Sequence, residues 1–265
     1  MEQEAAPSRV VCPECGRSKG LGYCGDCLVV LQDGCPSLPP LPVKVDIVLH
    51  GETSTRSTAL HAALLAPAQV RVFRHDAGSS RRRCDPLDLQ LPDWDAATTA
   101  VLFPEGPNTP AVGSSSCPPF QTLVVLESSW RKAKGLLAHP QLARLPRVQL
   151  PPEACGGSEF TWRRGDGSFR GSVEGGMSSI EAIQRCCRLL DPSHDFDALL
   201  HWFRRTKRLV DARGPLPTSR QEARARQRQK REHQPMLEER EQSAQGQQEQ
   251  QQQPAQEQQW QPAQQ

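Results

Sequence analysis

Residues 122–137 read TLVVLESSWRKAKGLL. The run from Thr122 to Leu126 has the length of a strand and no polar position that would face solvent, which suits a strand buried on both faces. Residues 132–137 then suggest a helix almost directly after it. A buried strand that runs straight into a helix is the repeating unit of an α/β domain.

The same alternation extends in both directions. Residues 43–49 (VKVDIVL) are β-branched and alternating, so they predict a strand. Residues 55–65 (TRSTALHAALL) place Leu60, Leu64 and Leu65 at helical spacing, with Thr55 or Ser57 as the expected N-cap and Ala66-Pro67 as the stop. Short strands are expected at 69–73, 99–103 and 148–150. Gly165-Asp166-Gly167, between Phe160 and Phe169, signals a hairpin. Residues 178–190 make the strongest helix, opened by a Ser178/Glu181 capping box, with Ile180, Ile183 and Leu190 on the apolar face. A last helix is expected over about 195–209. The fold class is therefore α/β, with a mostly parallel sheet and helices on both faces.

Composition divides the chain of 265 residues into three parts. Residues 1–40 are cysteine-rich and end in a Pro-rich linker. Residues 41–210 carry nearly all the aliphatic runs. Residues 211–265 are polar, with seven basic against two acidic residues up to 231 and six acidic against one basic thereafter, and they end in a Gln-rich tract that predicts disorder. The apolar share of 36% agrees with a chain that is only partly packed. A net charge of +2 excludes a strongly polycationic or polyanionic protein. Nothing approaches a membrane span, and the N-terminus lacks the pattern of a secretory signal, so no membrane association is expected. The basic runs at 204–208 and 224–231 slightly favour the nucleus over the cytoplasm.

Ten cysteines without a signal point to a reducing compartment, where close pairs bind metal more often than they form disulfides. CPECGRSKGLGYCGDC sets Cys12, Cys15, Cys24 and Cys27 as two Cys-x-x-Cys turns eight residues apart. Four thiolates close a tetrahedral zinc site and leave no open position, so the expected role is structural. Gly16, Gly20, Gly22 and Gly25 are expected to permit the tight turns, and Cys186 or Cys187 to be a helix core residue.

Three segments carry a resemblance: LPVKVDIVLHGETSTRSTALHAALLAP at 41–67, TLVVLESSWRKAKGLL at 122–137 and MSSIEAIQRCC at 177–187. With the CPEC…CGDC head, they resemble the DTW-domain proteins, in particular their animal-type tRNA-uridine aminocarboxypropyltransferase branch, over about residues 10–205. The family's Asp-x-Thr-Trp motif is matched here by Glu127, Ser128, Ser129 and Trp130, which keep a carboxylate and a hydroxyl. The family's Phe-Pro-Gly loop is matched by Phe103, Pro104 and Gly106, with Glu105 inserted.

The resemblance implies a SPOUT-like fold with a C-terminal trefoil knot. It also implies use of S-adenosylmethionine, transfer of its 3-amino-3-carboxypropyl group to N3 of a tRNA uridine in the D-loop, and release of methylthioadenosine. Carried onto this sequence, Glu127 is expected to handle the N3 proton, with Ser129 and Trp130 completing the catalytic motif. Phe103, Pro104, Gly106 and Asn108, with Gly176, Ser178 and Ser179, are expected to hold the cofactor.

Chemistry agrees with parts of this. A carboxylate at the C-terminal end of a strand stands where α/β ligand sites lie. N3 lies on the Watson–Crick edge, so the target base must be unpaired, as in a tRNA loop. Arg56, Arg163 and Arg164 are candidates for phosphate contact. Plainer roles stand beside these: Glu127 as a cap for the helix after it, Trp130 as packing, His61 as a partly buried histidine, and Ser178/Glu181 as a capping box alone. Three other functions also stay open: a non-catalytic RNA-binding relative, a SPOUT-like RNA methyltransferase, and a zinc-dependent interaction module.

Overall fold

The computed structural model describes residues 9–51, 54, 56–74, 89–155, 157–159 and 177–212, and of Trp130 and Arg131 the backbone alone. The hairpin expected at 160–170, Gly176, Arg163, Arg164 and the polar tail lie outside the described residues. The chain divides into a unit of Met1–Gly214 and a second of Pro215–Gln265, and all that follows concerns the first.

Two small hairpins begin it. β1 (Val10–Val11) pairs antiparallel with β2 (Ser18–Lys19), and β3 (Tyr23–Cys24) with β4 (Val29–Val30). The first Cys-x-x-Cys turn closes through Gly16, whose φ is 66° and whose N–H donates to Cys12 O at 2.9 Å. At the equivalent place after Cys27 the left-handed residue is Leu28, φ 56°. A side chain there costs about 1–2 kcal/mol, which the second turn must offset through its other contacts.

The sheet has five parallel strands in the order β6-β5-β8-β7-β9: β5 (Lys44–Leu49), β6 (Val70–Arg74), β7 (Thr99–Leu102), β8 (Thr122–Glu127) and β9 (Arg147–Val148). Alternation along β5 and β8 feeds two separate cores. Val45, Ile47, Leu123 and Val125 face α1 (Leu60–Leu65), α4 (Ser179–Leu190) and the start of α5 (His201–Asp211). Val48, Val124 and Leu126 face α2 (Trp130–Leu136), α3 (Pro140–Ala143) and Trp94. Helices thus cover both faces, as the two-sided apolar run at 122–126 requires. Each Val or Leu so buried contributes about 1.5–3 kcal/mol.

One charge lies within this packing. Asp46 on β5 is fully buried and accepts from Arg71 Nε at 2.9 Å, Arg71 Nη2 at 2.6 Å and Trp94 Nε1 at 2.7 Å. Arg71 is its register partner on β6, so the ion pair also fixes strand register.

The helix expected over 55–65 is shorter. It starts at Leu60, and its N-cap is Ala59 with no side-chain cap, so Ser57 does not play the part sequence assigns; Thr55 lies outside the described residues. Ser57 is instead buried with its hydroxyl unpartnered among the described residues. The capping box at Ser178 and Glu181 forms as read. The last helix begins as a 3₁₀ turn, Asp197–Leu200, and continues as α5. Cys186 and Cys187 are both buried in the core. Among the described residues no helix is long and apolar enough to cross a membrane.

The cysteine hairpins and the sheet domain share a third apolar cluster. Tyr23 of β3 packs edge-on against Trp202 of α5 and His61 of α1, at ring separations of 5.2 and 5.3 Å. Tyr23 Oη is 2.9 Å from His61 Nε2. Burial, reinforced by His201, lowers the His61 pKa to about 3. The unfolded chain therefore takes up a proton near pH 6.5 that the folded chain refuses. The stabilisation is complete above pH 6.5 and is lost as pH falls toward 3, at up to about 1.4 kcal/mol per pH unit. Urea midpoints at pH 7.5 and 5.5 should show this loss, and His61→Gln should reduce it.

Candidate active site and metal centre

Connections from the sheet's two central strands leave in opposite directions. β5 leads outward to β6, whereas β8 leads across β7 to β9. Between β5 and β8, the carboxyl ends therefore border a crevice at a topological switch point, the place where open α/β sheets bind ligands. Their register sets Leu49 beside Glu127.

Glu127 is the last residue of β8 and is buried. Its backbone carbonyl accepts from His50 N at 3.2 Å, and its Oε2 accepts from Ala59 N at 3.3 Å. The carboxylate is thus tied to the segment before α1 as well as to the strand that carries it. The helix that follows Glu127 has Ser129 as its N-cap, without a side-chain cap. Ser128 Oγ donates to His50 O at 2.7 Å, and Lys132 Nζ donates to Gly51 O at 3.1 Å. Beside Ala59, the hydroxyls of Ser57 and Thr58 are buried and have no hydrogen-bond partner among the described residues. Buried polar atoms are rarely left so. A buried carboxylate held by a backbone amide can accept a proton from a bound group.

The other sequence-predicted residues are distributed unevenly. Ser129 is exposed at the start of α2, and the Trp130 side chain lies outside the description. Phe103 is buried in the core with Val101 and Val124 and anchors the loop that follows. Pro104, Gly106 and Asn108 are exposed on that loop. Gly106 and Asn108 line a groove of about 580 Å³ with Arg147, Pro110 and Pro146, and neither Glu127 nor Ser178 lines it. Arg147 Nε stands 3.9 Å from the inserted Glu105.

Ser178 is committed to its cap. It donates to Glu181 through N at 2.8 Å and Oγ at 2.7 Å, while Ser158 Oγ and Glu159 N donate to the same carboxylate. Ser179 is half-buried in the first turn of α4, and Arg56 is exposed on the segment before α1. The basic run at 204–208 is helical, with Arg204 paired to Glu159 and Asp197. Sequence reading passed over Lys132 and Thr58 and gave Ser57 only the part of an N-cap. Lys132 sits five positions after Glu127, in the first turn of the next helix, and that spacing is the signal that could have found it.

The four cysteines come together. Their sulfurs lie within 4.8 Å of one another, and Cys15 and Cys24 Sγ are 3.8 Å apart. A tetrahedron with Zn–S bonds of about 2.3 Å has edges of roughly 3.8 Å, so the set fits a zinc ion. Burial opposes ionisation of Cys24. The amides of Cys27 and Asp26, the Cys12 thiol and the Lys19 ammonium outweigh it and bring Cys24 to about 7. Its neighbour Cys27 is held up, to about 12, by burial and by hydrogen bonds with the other thiols. A bound cation would favour the thiolate form of all four. Lys19 also bonds Asp26 at 2.7 Å and so links the turn to an outer partner.

The DTW domain profile matches residues 9–210. The protein named tRNA-uridine aminocarboxypropyltransferase 1 in Xenopus laevis is 40% identical over 209 residues, covering 66% of this chain and 68% of that relative. Its Xenopus tropicalis namesake is 26% identical over 211 residues, with the same coverage. The Drosophila melanogaster protein named tRNA-uridine aminocarboxypropyltransferase 2 is 29% identical over 167 residues, covering 59% and 61%. No solved structure matches the chain significantly.

Elemental analysis of the purified protein should give one zinc per chain. Cys12→Ser and Cys24→Ser should each lose it. Because the ligands must be deprotonated, affinity should fall as pH is lowered, which a chelator titration would measure.

Proposed function

The chain belongs to the DTW-domain family, and from that membership we propose that it is a tRNA-modifying transferase. The substrate class is a uridine in a tRNA loop, the D-loop in the closest reading. The donor is S-adenosylmethionine, and the group moved to uridine N3 is 3-amino-3-carboxypropyl. The SPOUT-like arrangement with a C-terminal knot belongs to the same proposal. The observation that carries it is Glu127, a buried carboxylate at the switch-point crevice in the position of the family motif's acid.

The sulfonium supplies an electrophilic carbon and a neutral thioether as leaving group. In the proposed step Glu127 takes the N3 proton, and the N3 lone pair forms a bond to the donor's γ-carbon. The carbon–sulfur bond breaks with its electron pair going to sulfur, which gives methylthioadenosine. Ala59 N, on Glu127 Oε2, aims the carboxylate. Ser57 and Thr58 offer hydroxyls to the donor's polar end, and Arg56, Arg163, Arg164 and Lys132 offer charge to tRNA phosphates. Ser129 and Trp130 complete the motif, the indole as a stacking surface. Phe103 and Pro104 shape the loop that presents Gly106 and Asn108, Ser179 opens α4, and Gly176 is assigned to the donor with it. In this reading Cys12, Cys15, Cys24 and Cys27 hold zinc and take no part in the step.

Incubating the full-length protein with S-adenosylmethionine and unmodified tRNA tests the proposal, with both products identified by mass spectrometry. Methylthioadenosine together with aminocarboxypropyluridine is expected. S-adenosylhomocysteine with a methylated base would overturn the transfer in favour of methylation. Donor binding without any product would favour a non-catalytic relative, the reading that the Glu127-Ser128-Ser129-Trp130 variant of the motif motivates.

A further inference from the structure

The second cysteine turn does more than close the metal site. Gly25 stands against the backbone of Ser54, where a Cβ on it would lie 2.9 Å from Ser54 O. Asp26 Oδ1 accepts from Ser54 Oγ, and Asp26 Oδ2 accepts from Lys19 at 2.7 Å. Asp26 O accepts from Arg74 Nη2, at the end of β6, at 2.6 Å.

Ser54 lies between β5 and α1, and both flanks of that connection are bonded to the end of β8. On one side His50 N meets Glu127 O, Ser128 Oγ meets His50 O, and Lys132 meets Gly51 O. On the other, Ala59 N meets Glu127 Oε2. The connection is therefore fastened to the candidate base at its two ends and to the metal-binding turn in its middle. α1 is fastened in addition through Tyr23 and His61.

We infer that Asp26 is a positioning residue: held in the metal-binding turn, it anchors Ser54 and so fixes the segment that aims Glu127. Its effect on catalysis rests on the function proposed above; the anchoring does not. The cysteine module then serves as a wall of the active site. A metal held by Cys12, Cys15, Cys24 and Cys27 would act at a distance, by setting where the turn stands. A misplacement on the order of 1 Å can cost about a hundredfold in rate, so one hydrogen bond at this joint has leverage.

The test uses the full-length, metal-loaded chain carrying Asp26→Ala, Asp26→Asn, Ser54→Ala or the Asp26→Ala/Ser54→Ala pair. Three quantities are read: zinc content, hydrogen exchange in peptides carrying Ser54 and Ala59, and kcat and KM for tRNA. In Asp26→Ala and Ser54→Ala, exchange in those peptides should rise several-fold with zinc retained. Turnover should drop about tenfold in kcat, with KM little changed. Asp26→Asn, whose side-chain oxygen still accepts from Ser54, should recover most of both. The double variant should fall no further than Asp26→Ala alone, because that substitution already removes the bond to Ser54.

Unchanged exchange and kcat in Ser54→Ala, which leaves every metal ligand and Asp26 in place, would overturn the inference. Strictly additive losses in the double variant would overturn it too. If the wild-type chain transfers nothing, the functional reading fails, while the exchange comparison still decides the anchor.

Discussion

The parallel pairing of β5 with β8 is the constraint on which the rest depends. Its register runs from Lys44 beside Thr122 to Leu49 beside Glu127. Both strands are buried on both faces, and a slip of β5 by one residue would turn its side chains into the opposite cores: Ile47 toward α2 and α3, and Asp46 away from Trp94. Asp46 makes such a slip costly, because a buried carboxylate deprived of its donors is a far larger penalty than a misplaced methyl. With the register fixed, both strands end at one level, and their connections diverge there. The crevice and the position of Glu127 are consequences of that pairing.

The second structural joint is between the cysteine hairpins and the domain. It has an apolar half, Tyr23 with Trp202 and His61, and a polar half, Asp26 with Ser54, Lys19 and Arg74. The apolar half contributes binding area. The polar half contributes direction, since a carboxylate meeting a hydroxyl and an ammonium fixes orientation more closely than packing does. A zinc site folds a small module from its own binding energy. Here the same energy would also locate a segment of the crevice.

The features legible in sequence are those governed by local rules. The capping box at Ser178 and Glu181 needs four consecutive residues, and it forms as read. The two Cys-x-x-Cys turns and the two-sided apolar run at 122–126 are equally local. What sequence missed depends on partners far along the chain. Ala59 replaces Ser57 as the start of α1, where the backbone is tied to Glu127, 68 residues later. Gly25 was read as a residue needed for a tight turn, but its value is the close approach of Ser54; the left-handed residue of that turn is Leu28. The packing of Phe103 against Val101 and Val124, which anchors the loop after it, likewise needs partners outside that loop. Neither the Asp46 ion pair nor the Asp26 anchor has a signature that spacing could reveal.

Glu127 as the base is the central claim, and single-turnover transfer by Glu127→Gln tests it most directly, with zinc content and S-adenosylmethionine binding measured on the same protein. The amide keeps the shape and can still accept from Ala59, but it cannot take the N3 proton. The account predicts a loss of roughly a hundredfold to ten-thousandfold in the transfer step, with donor binding and zinc retained. A transfer rate equal to the wild type would contradict it and leave Glu127 as a structural acid at the end of a strand.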